Sequence, residues 1–75
     1  STNYLGILFY QQTGERFRDA LIRIRMERAR ELVLHSPLRM YEIAQQVGIQ
    51  NAQYFTFLYQ KTYGITPAQM RRSFL

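Results

Sequence analysis

Two segments of this chain carry the same apolar pattern at a constant displacement of fifty residues: Tyr4-Leu5-x-x-Leu8-Phe9 ahead of Gly14, and Tyr54-Phe55-x-x-Leu58-Tyr59 ahead of Gly64. The pairs 4/54, 8/58 and 14/64 are identical, and 5/55 and 9/59 are similar. Apolar residues spaced i, i+1, i+4, i+5 make one stripe of a helix, not the alternation of a strand. A glycine following such a stripe supplies the left-handed conformation that ends a helix. A displacement without slippage indicates duplication. Fifty residues is too long for a stacked solenoid unit and fits two related supersecondary units joined by a connector. The second copy has a visible upstream half and the first does not, so the chain reads as cut into its first unit.

The spacing predicts five helices. The first is short and ends at Gly14. A longer one follows, with Phe17, Leu21, Ile24, Ala29, Leu32 and Val33 on its apolar face. Its other face carries Arg18, Asp19, Arg23, Glu27, Arg30 and Glu31, where Asp19/Arg23 and Glu27/Arg30 are neighbours of opposite sign, so this run reads as a solvated face with local pairs. His35, Ser36 and Pro37 end it, because proline disfavours a helical residue before it. A third helix starts between Ser36 and Met40 and stops near Val47-Gly48. The fourth spans Asn51 to Tyr63, with Tyr54, Phe55, Leu58 and Tyr59 on its buried side. Thr66-Pro67, an N-cap followed by proline at the first helical position, opens the last. The fold class is all-α, organised as 1–16, a linker helix over 17–36, and a complete unit over 37–75.

Small size and charge narrow the function. The 75 residues contain no cysteine, so apolar packing alone must stabilise a domain in the size range where stability is marginal. Ten Lys and Arg stand against five acids, a balance suited to a polyanion such as nucleic acid. An anionic membrane surface is the weaker alternative, because no apolar run reaches spanning length and no signal peptide is visible. His35 stands alone at a helix end, the three methionines read as gap fillers, and no triad, phosphate loop or acid pair occurs. Neither catalysis nor a metal or cofactor site is expected.

Ile43-Ala44-x-x-Val47-Gly48-Ile49 followed by a helix anchored at Phe55 and Leu58 has the chemistry of a helix-turn-helix: Ala44 permits close backbone approach, and Gly48 supplies positive φ. Taken alone, that pattern also occurs in helical hairpins that bind no DNA. Four blocks in order are more specific. They are Tyr-Leu-x-x-Leu-Phe-x-x-x-Thr-Gly-x-x-Phe at 4–17, Arg-Met-Glu-Arg-Ala-Arg-Glu-Leu at 25–32, Tyr-Glu-Ile-Ala-x-x-Val-Gly at 41–48 and Tyr-Phe-x-x-Leu-Tyr-x-Lys-x-x-Gly-Ile-Thr-Pro at 54–67. Together they resemble the AraC/XylS family of bacterial transcription regulators, especially members in which this domain follows a receiver domain. The resemblance implies tandem, homeodomain-like helix-turn-helix units on a linker helix, each placing its second helix in a major groove of double-stranded DNA. The first unit keeps only its recognition helix, residues 2–13; the second recognition helix is 51–63. It also implies a cytoplasmic, nucleoid-associated protein, RNA polymerase as a second partner, and a sensor or receiver domain outside this chain. The linker from 17 to 34, at ~1.5 Å per residue, spans roughly 27 Å. With its flanking turns it can serve two grooves roughly 34 Å apart.

Opposite the packing stripes lie Asn3, Gly6, Ile7 and Tyr10 on the first helix and Gln53, Thr56, Phe57 and Gln60 on the fourth. Asn3 and Gln53 suit adenine, while Ile7, Phe57 and the Thr56 methyl suit thymine methyl groups. Gln50 and Asn51 are placed for phosphate or base contact, and Asn51 equally for an N-cap. Many family members carry arginine at the positions of Ile7 and Phe57, and lysine at those of Tyr10, Gln11 and Gln60. Without basic residues on either face, A·T-rich half-sites are expected. Phosphate contacts fall to Arg39, Lys61, Arg71 and Arg72, joined by Arg16. The aromatic residues, at helical spacing, read as core and not as nucleotide-stacking platforms. A different class of function is a protein-interaction module that keeps the fold without reading duplex. Leu5, Leu8 and Phe9, uncovered without a preceding partner helix, also offer a surface for self-association.

Overall fold

The computed structural model describes residues 2–74 and contains five helices: α1 Thr2–Thr13, α2 Phe17–His35, α3 Met40–Gln46, α4 Ala52–Tyr63 and α5 Pro67–Ser73. Ser1 and Leu75, the outermost residues of the first and last expected segments, lie outside the described residues. No strand occurs among the described residues. The fifty-residue repeat is reproduced in the backbone. α1 and α4 each contain 12 residues in the same register. Gly14 (φ 75°) and Gly64 (φ 81°) end them in the left-handed region. Each glycine N–H donates 2.8 Å to the carbonyl four residues back, on Tyr10 and Gln60. The next helices, α2 and α5, also begin fifty residues apart.

The core belongs to the second copy. Met26, Ala29, Leu32 and Val33 of α2 enclose it with Ile43, Ala44, Val47, Ile49, Phe55, Leu58, Tyr59 and Met70. α1 contributes none of these buried residues and leans on α2 through an edge-to-face contact of Phe9 with Phe17, centroids 5.6 Å apart. The molecule is accordingly elongated, 44 × 20 × 19 Å, with a radius of gyration of 14.1 Å, against about 11 Å for a compact chain of this length.

Two expectations about buried faces are corrected. Phe17 (58% exposed), Leu21 and Ile24 do not enter the core. α2 has two apolar stripes, and the one through Ile22, Met26, Ala29 and Val33 is the stripe that faces α3, α4 and α5. Tyr54 is likewise 41% exposed and not buried. The charge pairs also differ, since Arg23 bridges Glu15 and Glu27, both at 3.1 Å, instead of turning to Asp19.

Local signals fix the second unit. Gly48 (φ 86°) makes the sharp turn between α3 and α4, and the Ile49 N–H reaches the Ala44 carbonyl at 2.8 Å. Asn51 Oδ1 accepts from the Tyr54 N–H at 2.9 Å, so its N-cap role is observed. Thr66 and Gln69 form a reciprocal capping box, with bonds of 3.0 and 3.1 Å. Substituting Gly48→Ala should destabilise the fold by about 1–2 kcal/mol, since the left-handed backbone is strained for alanine. Its Cβ would also lie 3.2 Å from the Arg25 guanidinium. Gly6→Ala in α1, where an added Cβ meets nothing within 4 Å, should instead raise helicity and stability by roughly 0.5–1 kcal/mol. Urea denaturation monitored by circular dichroism reads both.

The hydroxyl of fully buried Tyr59 donates to Met70 Sδ at 2.8 Å. Burial pushes this phenol up to about 12, the neighbouring Tyr63 adds to the rise, and Arg30 opposes it. Below the ordinary tyrosine range, near pH 10, both folded and unfolded states hold the proton. Above it the unfolded phenol ionises first, so stability should fall from about pH 10 to about pH 12. Tyr59→Phe should flatten that fall in denaturation midpoints measured across this range.

Candidate nucleic-acid interface

α4 turns its apolar stripe inward through Phe55, Leu58 and Tyr59, whereas the same stripe on α1 is not packed as its spacing suggests and leaves Tyr4 (61%) and Leu5 (63%) exposed. On α1, Asn3, Ile7 (50% exposed) and Tyr10 are open to solvent. On α4, Gln53, Phe57 (58% exposed) and Gln60 are open, and Gln50 and Asn51 are exposed just before the helix. Phe57 stacks beside Tyr54, with centroids 6.5 Å apart and planes 17° from parallel. Thr56 is only half-buried, and its hydroxyl donates 3.0 Å to the Ala52 carbonyl. Its polar atom is thus engaged by its own helix, which leaves the methyl as the group it can offer.

The outward face of α1 carries no basic residue and that of α4 carries Lys61 near its C-terminal end, and the start of α2 brings arginines to both. The Arg16 guanidinium sits over the Tyr10 ring, 5.2 Å from its centroid. Arg18 Nη2 donates 3.3 Å to the Tyr54 hydroxyl. A groove lined by Asn3, Ile7, Tyr10, Arg16 and Arg18 runs between α1 and the start of α2. Farther along α2, Arg25 covers the Gly48 turn and Arg30 lies over the Tyr63 ring at 5.9 Å. Two residues of the run read as a solvated face, Arg18 and Arg30, therefore reach α4, and Arg25 covers the turn before it. Sequence spacing gave no sign of this, because the ends of these side chains lie far from their own backbone.

Of the residues expected to contact phosphate, Arg39, Lys61 and Arg72 are exposed. Arg39 precedes α3, and its backbone N–H is held by the Glu42 carboxylate at 2.8 Å. Lys61 follows Gln53 and Phe57 at helical spacing along α4. Arg71 must be removed from the set. Its guanidinium donates to the carbonyls of Val33 (2.9 Å), Leu38 (2.6 Å), Leu32 (3.2 Å) and Ser36 (3.0 Å), closing the C-terminal end of α2, where carbonyls lack helical partners and the dipole favours a cation. The signal was present in the sequence, since Arg71 follows the buried Pro67 and Met70 at i+4 and i+1, on the inner stripe of α5. Arg71→Gln should therefore lower stability by about 2–3 kcal/mol through loss of charge-assisted bonds, whereas Arg72→Gln should stay within about 0.5 kcal/mol. Paired urea titrations distinguish them.

Comparisons with known proteins agree with this architecture. A family described as a helix-turn-helix domain matches residues 1–73. The chain is 38% identical over 72 residues to the uncharacterized transcriptional regulatory protein YesN of Bacillus subtilis, covering 93% of this chain and 20% of that protein. It is 36% identical over 63 residues to the transcriptional activator RhaR of Salmonella newport, covering 84% and 22%. The chain thus spans about a fifth of the length of these relatives. Among solved structures, the C-terminal domain of the two-component response regulator yesN from Fusobacterium nucleatum superposes with a TM-score of 0.91 at 45% identity, covering 95% of this chain and 69% of that one. The C-terminal domain of AraT, a response regulator from Geobacillus stearothermophilus, gives 0.92 at 40% identity, covering 97% and 60%.

Proposed function

Because this chain belongs to the AraC/XylS family of helix-turn-helix transcription regulators, we propose that it binds double-stranded DNA sequence-specifically, with α1 and α4 entering major grooves on one face of the duplex. The observation that carries this reading is the repeated register of α1 and α4. Two helices of equal length, capped alike by Gly14 and Gly64, expose Asn3, Ile7 and Tyr10 on one and Gln53, Phe57 and Gln60 on the other. Asn3 and Gln53 are the adenine readers, while Ile7, Phe57 and the Thr56 methyl pack on thymine methyl groups. Gln50 and the Asn51 amide nitrogen, which the N-cap leaves available, contact the strand at the entry of α4. Arg39, Lys61, Arg72 and Arg16 contact phosphates. With apolar side chains at 7 and 57, the half-sites favour A·T pairs. In this reading the domain delivers a regulator to a bacterial promoter, where RNA polymerase is the second partner.

The test is a titration of duplexes carrying two half-sites one helical turn apart. Lys61→Ala should weaken binding about equally on all sequences and reduce the salt slope by about 1, whereas Phe57→Ala should change base preference at one position. Guanine selected from a random library at the centres of both half-sites would overturn the A·T preference. If neither substitution alters DNA affinity and Phe57→Ala instead abolishes a protein complex, the exposed apolar groups at 7 and 57 serve a protein partner.

A further inference from the structure

The cation best placed to act between the two reading helices lies on neither of them. Arg18 is exposed in the first turn of α2. On one side it lines the grooves shared with Asn3 and Gly6 of α1. On the other its Nη2 reaches the Tyr54 hydroxyl in the first turn of α4 at 3.3 Å, and Tyr54 stacks beside Phe57. A single guanidinium therefore touches surroundings belonging to both outward faces. Its Tyr54 contact is neutral, so its charge is not cancelled there. The neighbouring Arg23, by contrast, is held between Glu15 and Glu27.

On one face of a duplex, successive major grooves are separated by a minor groove bordered by two phosphate strands. We propose that Arg18 contacts the phosphates bordering this intervening minor groove, and that Tyr54 holds the guanidinium at the midpoint between the half-sites. This assignment rests on the reading of α1 and α4 as major-groove helices. It adds a contact from the connector, to DNA that neither helix reads. The phenol tether limits the rotamers of a long side chain, so less freedom is lost when the contact forms.

The experiment titrates this chain and its Arg18→Ala, Tyr54→Phe and Lys61→Ala variants against a two-half-site duplex over a range of salt. A second duplex has uncharged methylphosphonates replacing the phosphates between the half-sites. Arg18→Ala should lose about fivefold in affinity and flatten the salt slope by about 0.9, the value of one phosphate contact. It should also become insensitive to the methylphosphonates, which weaken the parent chain. Tyr54→Phe should keep the parent's salt slope, because it removes the tether and leaves the charge. If Lys61→Ala shows its loss while Arg18→Ala keeps the parent's slope and its methylphosphonate sensitivity, the assignment is wrong and the major-groove reading stands. Equal losses in Arg18→Ala and Tyr54→Phe with unchanged slopes would make Arg18 a packing residue and overturn the assignment as well. Failure of the parent chain to bind any duplex removes both readings together.

Discussion

Everything in this molecule is referred to the C-terminal two-thirds of α2. There, the stripe through Met26, Ala29 and Val33 is sealed against α3, α4 and α5. Arg71 fastens the end of the same helix by crossing from α5 to four carbonyls between residues 32 and 38. The apolar stripe sets which way α2 faces. The guanidinium sets where α2 stops and where the chain turns toward α3. Together they make α2 and the following helix-turn-helix one rigid piece, so any position on the exposed N-terminal part of α2 is defined relative to α4.

The two copies use the same backbone differently. α4 is embedded through Phe55, Leu58 and Tyr59 and is positioned by packing. α1 repeats the stripe but meets the rest of the molecule chiefly through Phe9 on Phe17. Its orientation follows from the Gly14 cap and the start of α2. The arginines redress this asymmetry in part: Arg16 folds back over α1 and Arg18 reaches across to α4. The segment that joins the copies thus also supplies positive charge beside faces on which Lys61 is otherwise the basic residue.

Most of the architecture was legible in the sequence because its signals are local. Glycines 14, 48 and 64, the Thr66-Pro67 start and the Ser36-Pro37 stop each act within a few residues, and the helix ends fall where those signals place them. What was not legible required knowledge of a neighbour. α2 has two apolar stripes, and periodicity cannot say which one meets a partner, so the spacing points Phe17, Leu21 and Ile24 inward although all three are exposed. Tyr54 continues the buried stripe of α4 by spacing, but its position at the helix start leaves it at the rim. In the candidate site, the outward direction of Phe57 follows directly from the buried stripe opposite it, whereas the stripe opposite Ile7 leaves Tyr4 and Leu5 exposed. The destinations of Arg18 and Arg25 did not, because a flexible cation near a helix face gives no local sign of whether it meets a phenol, a turn or solvent.

The N-terminal part of α2 lies outside the core, yet it is a continuous helix, and this makes it a protractor as well as a ruler. Each residue added to or removed from it would shift α1 by ~1.5 Å and turn it by about 100° around the axis. One insertion would turn Asn3 and Ile7 through that angle relative to Gln53 and Phe57 while shifting them only slightly along the axis. The phase between the two faces is therefore far more sensitive to the length of α2 than the distance between them. Length changes that preserve phase come only in steps close to whole turns.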